Sequence, residues 1–201
     1  MIAIIDYDAG NVKSVEKAIQ SLGYEAVLTR DKDTLLKADH VILPGVGNFG
    51  ACMQNIEKYG LKDVIYKIVE SKTPFLGICV GLQLLFESSE ESPETKGLGV
   101  LKGKIKRLPE TEGLKIPNIG WNDLKYNKNS RLFNGIDEGE FVYFVHSYYL
   151  EADDEDIVTS TIDYGTVVHA SVEYENVFAT QFHPEKSSDI GLKILENFLE
   201  V

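Results

Sequence analysis

The chain has 201 residues, and its 20 Lys and Arg against 32 Asp and Glu leave a net charge of −12. That balance, with no basic cluster, argues against binding by phosphate neutralisation, and no apolar run approaches the ~20 residues of a membrane span. With 43% hydrophobic and 26% charged residues, residues 1–201 are expected to form a single globular domain, in which folding buries roughly 70% of the unfolded surface without staples.

Met1-Ile2-Ala3-Ile4-Ile5-Asp6 meets an acid too early, and lacks the basic lead-in, for a secretory signal. Ile2 to Ile5 is a short continuous apolar run, as expected of a strand buried on both faces. It runs into the turn-rich stretch Asp6-Tyr7-Asp8-Ala9-Gly10-Asn11. Val12, Val15, Ala18, Ile19 and Leu22 then recur at helical spacing, with Gly23 as a stop. Ala26 to Leu28 and Val41 to Leu43 predict two further strands, the second closed by Pro44-Gly45. Ile56 to Ser71 reads as mostly helical with Gly60 interrupting it. Phe75 to Ile78 predicts a fourth strand, and Val80 to Glu87 a helix springing directly from it.

From about residue 97 to 182 the runs are short, aromatic and β-branched. Tyr164-Gly165 and Glu175-Asn176 are hairpin-turn candidates there, and Ser187 to Leu199 predicts a closing helix with Ile190, Ile194, Leu195 and Phe198 on one face. The expected fold class is α/β. A central, mostly parallel sheet is flanked by helices, and the second half is more antiparallel and β-rich. Two acidic stretches, Glu151 to Asp156 and Glu87 to Glu94, read as a solvated turn and a solvated helix end. Neither predicts a metal site.

The two cysteines, Cys52 and Cys79, make no disulfide framework, so a reducing cytoplasm is the expected location. Cys79 stands in Gly77-Ile78-Cys79-Val80-Gly81, between a buried strand and a helix. This is the cysteine form of a nucleophile elbow. A sharp strand-to-helix turn presents the central residue at the carboxyl edge of the sheet. The helix N-terminus favours a thiolate there, and the Val80 N–H is placed to stabilise an oxyanion. Cys52, on a predicted helix, has no such motif and reads as structural. His183-Pro184-Glu185 follows another apolar strand. In an extended segment, residues two apart project to the same side, so Glu185 could hold one ring nitrogen of His183 while the other faces Cys79. His40 and His169 read as structural. Pro44-Gly45-Val46-Gly47-Asn48-Phe49 also follows a buried strand, so its backbone N–H groups would lie at the same edge.

Together these segments resemble the triad glutamine amidotransferases. Further stretches extend the resemblance over nearly the whole chain: Asp6 to Asn11, Pro44 to Gly50, Gln83 to Glu87, Gly120-Trp121-Asn122, Phe144 to Tyr148, and His183 to Ser188. These resemble the glutaminase subunits of imidazole glycerol phosphate synthase, and Gly120-Trp121-Asn122 with Lys186-Ser187-Ser188 points to that branch. The resemblance implies a Cys79, His183 and Glu185 triad, with backbone N–H groups of Val46 and Val80 as the oxyanion hole. It implies glutamine held by Gln83 and the backbone around Gly47, Ser147 and Tyr148, with Glu91 toward its amino group. It implies no cofactor, and a heterodimer with a (β/α)₈-barrel cyclase that takes up the ammonia. Asn11, Trp121, Tyr143 and Lys186 would face that partner. Val80 and Ser147 stand where the family often has leucine and threonine, changes that leave the triad intact. Alternative readings are another glutaminase of the superfamily, a stand-alone cysteine hydrolase, and a non-catalytic binding protein.

Overall fold

The structure, a computed structural model, describes residues 1–127 and 129–201. In chain order the strands are Ile2–Ile5 (β1), Ala26–Thr29 (β2), His40–Leu43 (β3), Phe75–Ile78 (β4), Ser88–Ser89 (β5), Gly103–Arg107 (β6) and Asn118–Asp123 (β7), then Lys125–Tyr126 (β8), Phe141–His146 (β9), Tyr148–Ala152 (β10), Val158–Asp163 (β11), Val167–Tyr174 (β12) and Val177–Thr180 (β13). The helices are Val12–Ser21 (α1), Lys32–Leu36 (α2), Phe49–Lys58 (α3), Lys62–Glu70 (α4), Val80–Leu84 (α5) and Ser188–Leu199 (α6).

Among the described residues one large sheet runs β2-β1-β3-β4-β13-β12-β10-β6-β5, with β11 and β8 branching from β12. The β2-β1-β3-β4-β13 half is parallel. From β13 to β12, β10 and β6 the pairing is antiparallel. The parallel strands β1, β4 and β13 are buried at every position, which explains why they read as unbroken apolar runs. Tyr164 to Thr166 and Glu175-Asn176 join β11 to β12 and β12 to β13, as the turn residues predicted. A separate two-stranded sheet pairs β7 with β9, placing Trp121 opposite Tyr143 and Asn118 opposite His146.

Three local expectations change. The helical segment expected from Ile56 is interrupted at Gly60 as read, but it starts seven residues earlier, at Phe49. Its N-terminal amides are held by the Asn48 side chain and by Glu91, 42 residues away in sequence. The helix expected to reach Glu87 ends at Leu84, because residues 97–101 take over its carbonyls: Leu98 N–H donates to Leu84 and Leu101 N–H to Leu85. The acidic segment 87–94 is therefore no solvated helix end. Glu87, Glu90 and Glu91 each accept a hydrogen bond from a backbone N–H, of Gly103, Arg107 and Phe49 respectively. The 151–156 stretch is an exposed turn apart from Ala152 and a partly buried Glu151, as expected.

Candidate active site

β4 ends in a strained turn at Cys79. Cys79 has φ 55° and ψ −109°, a region that costs a non-glycine residue on the order of 1–3 kcal/mol and persists only where the surroundings impose it. The imposing contacts are visible. Cys79 N–H donates to Thr180 O at 2.7 Å, tying the turn to β13. At Gly81 an added Cβ would lie 1.9 Å from Leu43 O, so α5 can leave the sheet at this angle only with glycine there. The side chain of Cys79 is 4% exposed, and Gln181 Nε2 lies 3.7 Å from its sulfur.

The neighbouring strand end supplies the imidazole. His183 Nδ1 lies 2.7 Å from Glu185 Oε1, with both side chains buried. The pairing does not arise from an extended chain. Pro184–Lys186 is a single 3₁₀ turn, which folds Glu185 back under the ring. Ser187 locks that turn: its hydroxyl donates to His183 O at 2.6 Å and accepts from Tyr143 N–H at 2.9 Å. His183 N–H in turn donates to Tyr143 O at 2.9 Å. Burial alone would push the His183 ring toward neutrality. Its interactions with Cys79 and Glu185 outweigh burial and raise it to about 9.

Cys79 and His183 open into one cavity of about 490 Å³, and the sequence candidates Asn11, Val46, Gly47, Val80, Gln83, Glu91, Ser147, Tyr148 and Lys186 all line it. Several of them are engaged within the protein. The Val80 N–H is not open: it donates to Gly45 O at 3.3 Å. Gln83 Nε2 bonds Tyr148 O and Gln181 Oε1, both at 3.1 Å, so it organises the wall. Glu91 spends one oxygen on the start of α3. Asn11 Nδ2 donates to Glu185 Oε1, so Asn11, half-buried in the cavity lining, supports the carboxylate. Trp121 and Tyr143 lie outside the cavity, ring edge to face at 6.0 Å between centroids. They share the outer face of the small sheet with Ile119 and Phe141, and Ile119, Trp121 and Phe141 are each half or more exposed.

One further wall residue, His146, carries no local sequence signature. His146 is buried, with Nδ1 against Tyr148 O at 2.9 Å and Nε2 against Asn118 at 3.1 Å. These partners fix one neutral tautomer, and burial pushes its pKa down to about 4. The two histidines thus act on stability with opposite signs. The charged His183 ring stabilises the fold fully below pH 6.5, and that contribution is lost as pH rises through about 9. The neutral His146 ring is favourable above pH 6.5, and its contribution is lost as pH falls toward about 4. Histidine-resolved NMR titration is expected to find both midpoints displaced in these directions. In Cys79→Ala the His183 midpoint should fall, because one of its two partners is gone.

Among the described residues no group of three His, Cys, Asp or Glu is arranged to hold a metal ion, and no helix is long and apolar enough to cross a membrane.

This architecture has known counterparts. The profile of the family described as "Glutamine amidotransferase class-I" matches residues 3–201. The chain is 50% identical over 201 residues to the imidazole glycerol phosphate synthase subunit HisH of Methanocaldococcus jannaschii, covering 100% of both chains. It is 51% identical over 196 residues to the HisH subunit of Aquifex aeolicus, covering 97% of this chain and 94% of the relative. A crystal structure of a glutamine amidotransferase superposes with a TM-score of 0.77 at 24% identity, covering 100% of this chain and 98% of the other. At that identity the superposition speaks for the fold, and the profile and the half-identical relatives speak for descent: the chain belongs to the class-I glutamine amidotransferase family.

Proposed function

We propose that residues 1–201 act as one glutamine amidotransferase domain, the glutaminase subunit of an imidazole glycerol phosphate synthase, working in the cytoplasm in histidine biosynthesis. The observation that carries the reading is the convergence of Cys79, on its strained elbow, with the buried His183–Glu185 pair on one cavity. Half identity to HisH subunits over the full length supports the choice of branch.

In this reading glutamine enters the cavity with its carboxamide at Cys79. The thiolate attacks the carboxamide carbon, and the oxygen takes up negative charge against the N–H groups of Val80 and Val46. One such donor is worth roughly 2.7–4 kcal/mol. The tetrahedral intermediate collapses as His183 delivers a proton to the departing nitrogen, leaving ammonia and a thioester. His183 then removes a proton from water, the thioester is hydrolysed, and glutamate leaves. Glu185 keeps the ring in one tautomer and stabilises its charged form, and Asn11 holds Glu185. Gly47, Gln83, Ser147 and Tyr148 bound the amino-acid end of glutamine, with Glu91 near its ammonium group.

Ammonia is mostly protonated in neutral water and then no longer nucleophilic, so it is useful only if passed directly to an acceptor. The acceptor is a (β/α)₈-barrel cyclase. It converts a phosphoribulosyl-formimino nucleotide into imidazole glycerol phosphate and aminoimidazole carboxamide ribotide. The exposed apolar face of the small sheet, with Trp121 and Tyr143 at its centre and Lys186 at the cavity mouth, is the docking surface. Because Gly45 O occupies the Val80 N–H, the oxyanion hole is closed. The Gly45–Gly47 peptides reorient when the partner holds its own substrate.

The test is to titrate this chain with a purified cyclase subunit and its nucleotide substrate while measuring glutamate release. Strong stimulation is expected. Trp121→Ala should demand roughly 30-fold more cyclase for half-maximal stimulation, the loss of a hot-spot contact of about 2 kcal/mol. Trp121 is 50% exposed and its ring packs on Tyr143, so the substitution should cost about 1 kcal/mol of stability and leave the chain folded. A rate that ignores the cyclase would refute the assignment.

A further inference from the structure

Beneath the loop Pro44–Gly47, which follows β3, lie two buried polar side chains that the proposed reaction leaves unused. Tyr7, fully buried just after β1, donates its hydroxyl to Pro44 O at 2.6 Å. Cys52, buried on α3, has its sulfur 3.8 Å from Val46 O. Burial raises the pKa of both groups, so both keep their protons and remain donors. The carbonyls on either side of Gly45 are therefore each held from the core. The one between them, Gly45 O, is held by the Val80 N–H at 3.3 Å.

A trans peptide points its C=O and N–H in opposite directions. With Gly45 O at the Val80 amide, the N–H of Val46 faces away from it. Turning the single Gly45–Val46 peptide, through ψ of Gly45 and φ of Val46, exchanges that carbonyl for the Val46 N–H and leaves the neighbouring peptides where they are. The surroundings fit such a motion. Gly45 is packed so closely that an added Cβ would lie 2.8 Å from Tyr7 Oη and 2.8 Å from Gly81 N.

We propose that Tyr7 and Cys52 are positioning residues for the Pro44–Gly47 loop and its oxyanion donor. They form a two-point clamp on the Pro44 and Val46 carbonyls that makes the Gly45–Val46 peptide the one turning unit and sets where its N–H lands. The proposal rests on the glutaminase reading and deepens it. Neither side chain touches the substrate, so its effect is confined to the step that develops an oxyanion.

That confinement gives the test. Glutamine turnover needs the oxyanion donors, whereas alkylation of Cys79 by iodoacetamide attacks a saturated carbon and needs only the thiolate. In the complex with the cyclase, Tyr7→Phe is expected to lower kcat for glutamine roughly tenfold through lost positioning. KM should stay within about twofold, and the Cys79 alkylation rate should be unchanged, read by mass spectrometry of the Cys79 peptide. Cys52→Ala is expected to lower kcat by a smaller factor, and Cys52→Ser, which restores a donor, to return it toward wild type. A Tyr7→Phe enzyme with wild-type kcat overturns the clamp. So does one that loses turnover and alkylation in parallel, because the damage then lies in the elbow itself. Should Tyr7→Phe fail to fold, the Cys52 pair decides alone, and equal kcat in the Ala and Ser variants overturns the proposal. Absence of glutamate release from the wild-type complex would instead sink the glutaminase reading, and the clamp with it.

Discussion

Cys79→Ala is expected to lower cyclase-stimulated glutamate release by roughly four orders of magnitude or more, the scale set by removing a nucleophile from a preorganised catalytic unit. The fold should survive. Alanine at φ 55° bears the same backbone strain as cysteine, and the Cys79 N–H to Thr180 bond remains. The variant should still bind the cyclase, since the Trp121 face is untouched. Adding a His183 substitution to Cys79→Ala should cost almost nothing further, because an acid–base group without its nucleophile has no proton transfer to perform. Retention of full glutaminase activity by Cys79→Ala would remove the proposed mechanism. Full additivity of the two substitutions would show that they do not work as a unit.

Gly81→Ala is the second large effect, and it acts on stability. The new Cβ would stand 1.9 Å from Leu43 O and 3.0 Å from Leu43 C. Both are backbone atoms of β3, so no side-chain rotation relieves the clash. Either α5 tilts away from the sheet or β3 shifts, and β3 is hydrogen-bonded on both edges, to β1 and β4. Overpacking at such a site costs about 3 kcal/mol, which for a chain of this size lowers Tm by roughly 6–12 °C. The site should fail before the fold does: any tilt of α5 carries the Val80 N–H away from Cys79. Thermal denaturation and glutamate release measured on the same preparation check both parts. An unshifted Tm would mean that the close approach at Gly81 does not constrain the turn.

The parallel half of the fold is legible in the sequence because strands buried on both faces have to be apolar throughout, as β1, β4 and β13 are. The elbow is legible for a related reason: glycines at 77 and 81 are demanded by backbone approach, so they stand at fixed distances from Cys79. The His183–Glu185 pairing could be anticipated from their spacing, although the geometry that makes it is a 3₁₀ turn pinned by Ser187. What stayed hidden depends on register between distant strands. His146 meets Asn118 only because β7 pairs with β9 in one particular alignment. Tyr7 meets Pro44 across 37 residues. One of the groups that hold the start of α3, Glu91, comes from 42 residues away, so that contact has no local signature. The hold of Asn11 on Glu185 is hidden for the same reason, since nothing local shows that its amide reaches that carboxylate.

The small β7–β9 sheet has a mechanical consequence. One edge of β9 presents Tyr143 to the outside beside Trp121, and the main-chain carbonyl of that same Tyr143 holds the N–H of His183. Three residues further on, His146 lines the cavity wall. The outer aromatic face and the His183 ring are thus joined by the Tyr143 main chain and one hydrogen bond. If a partner docks on that face as proposed, any shift of β9 is expected to move the imidazole directly. Linkage requires the converse with equal strength: if glutamine in the cavity displaces β9, the grip on whatever docks at Trp121 changes by the same factor.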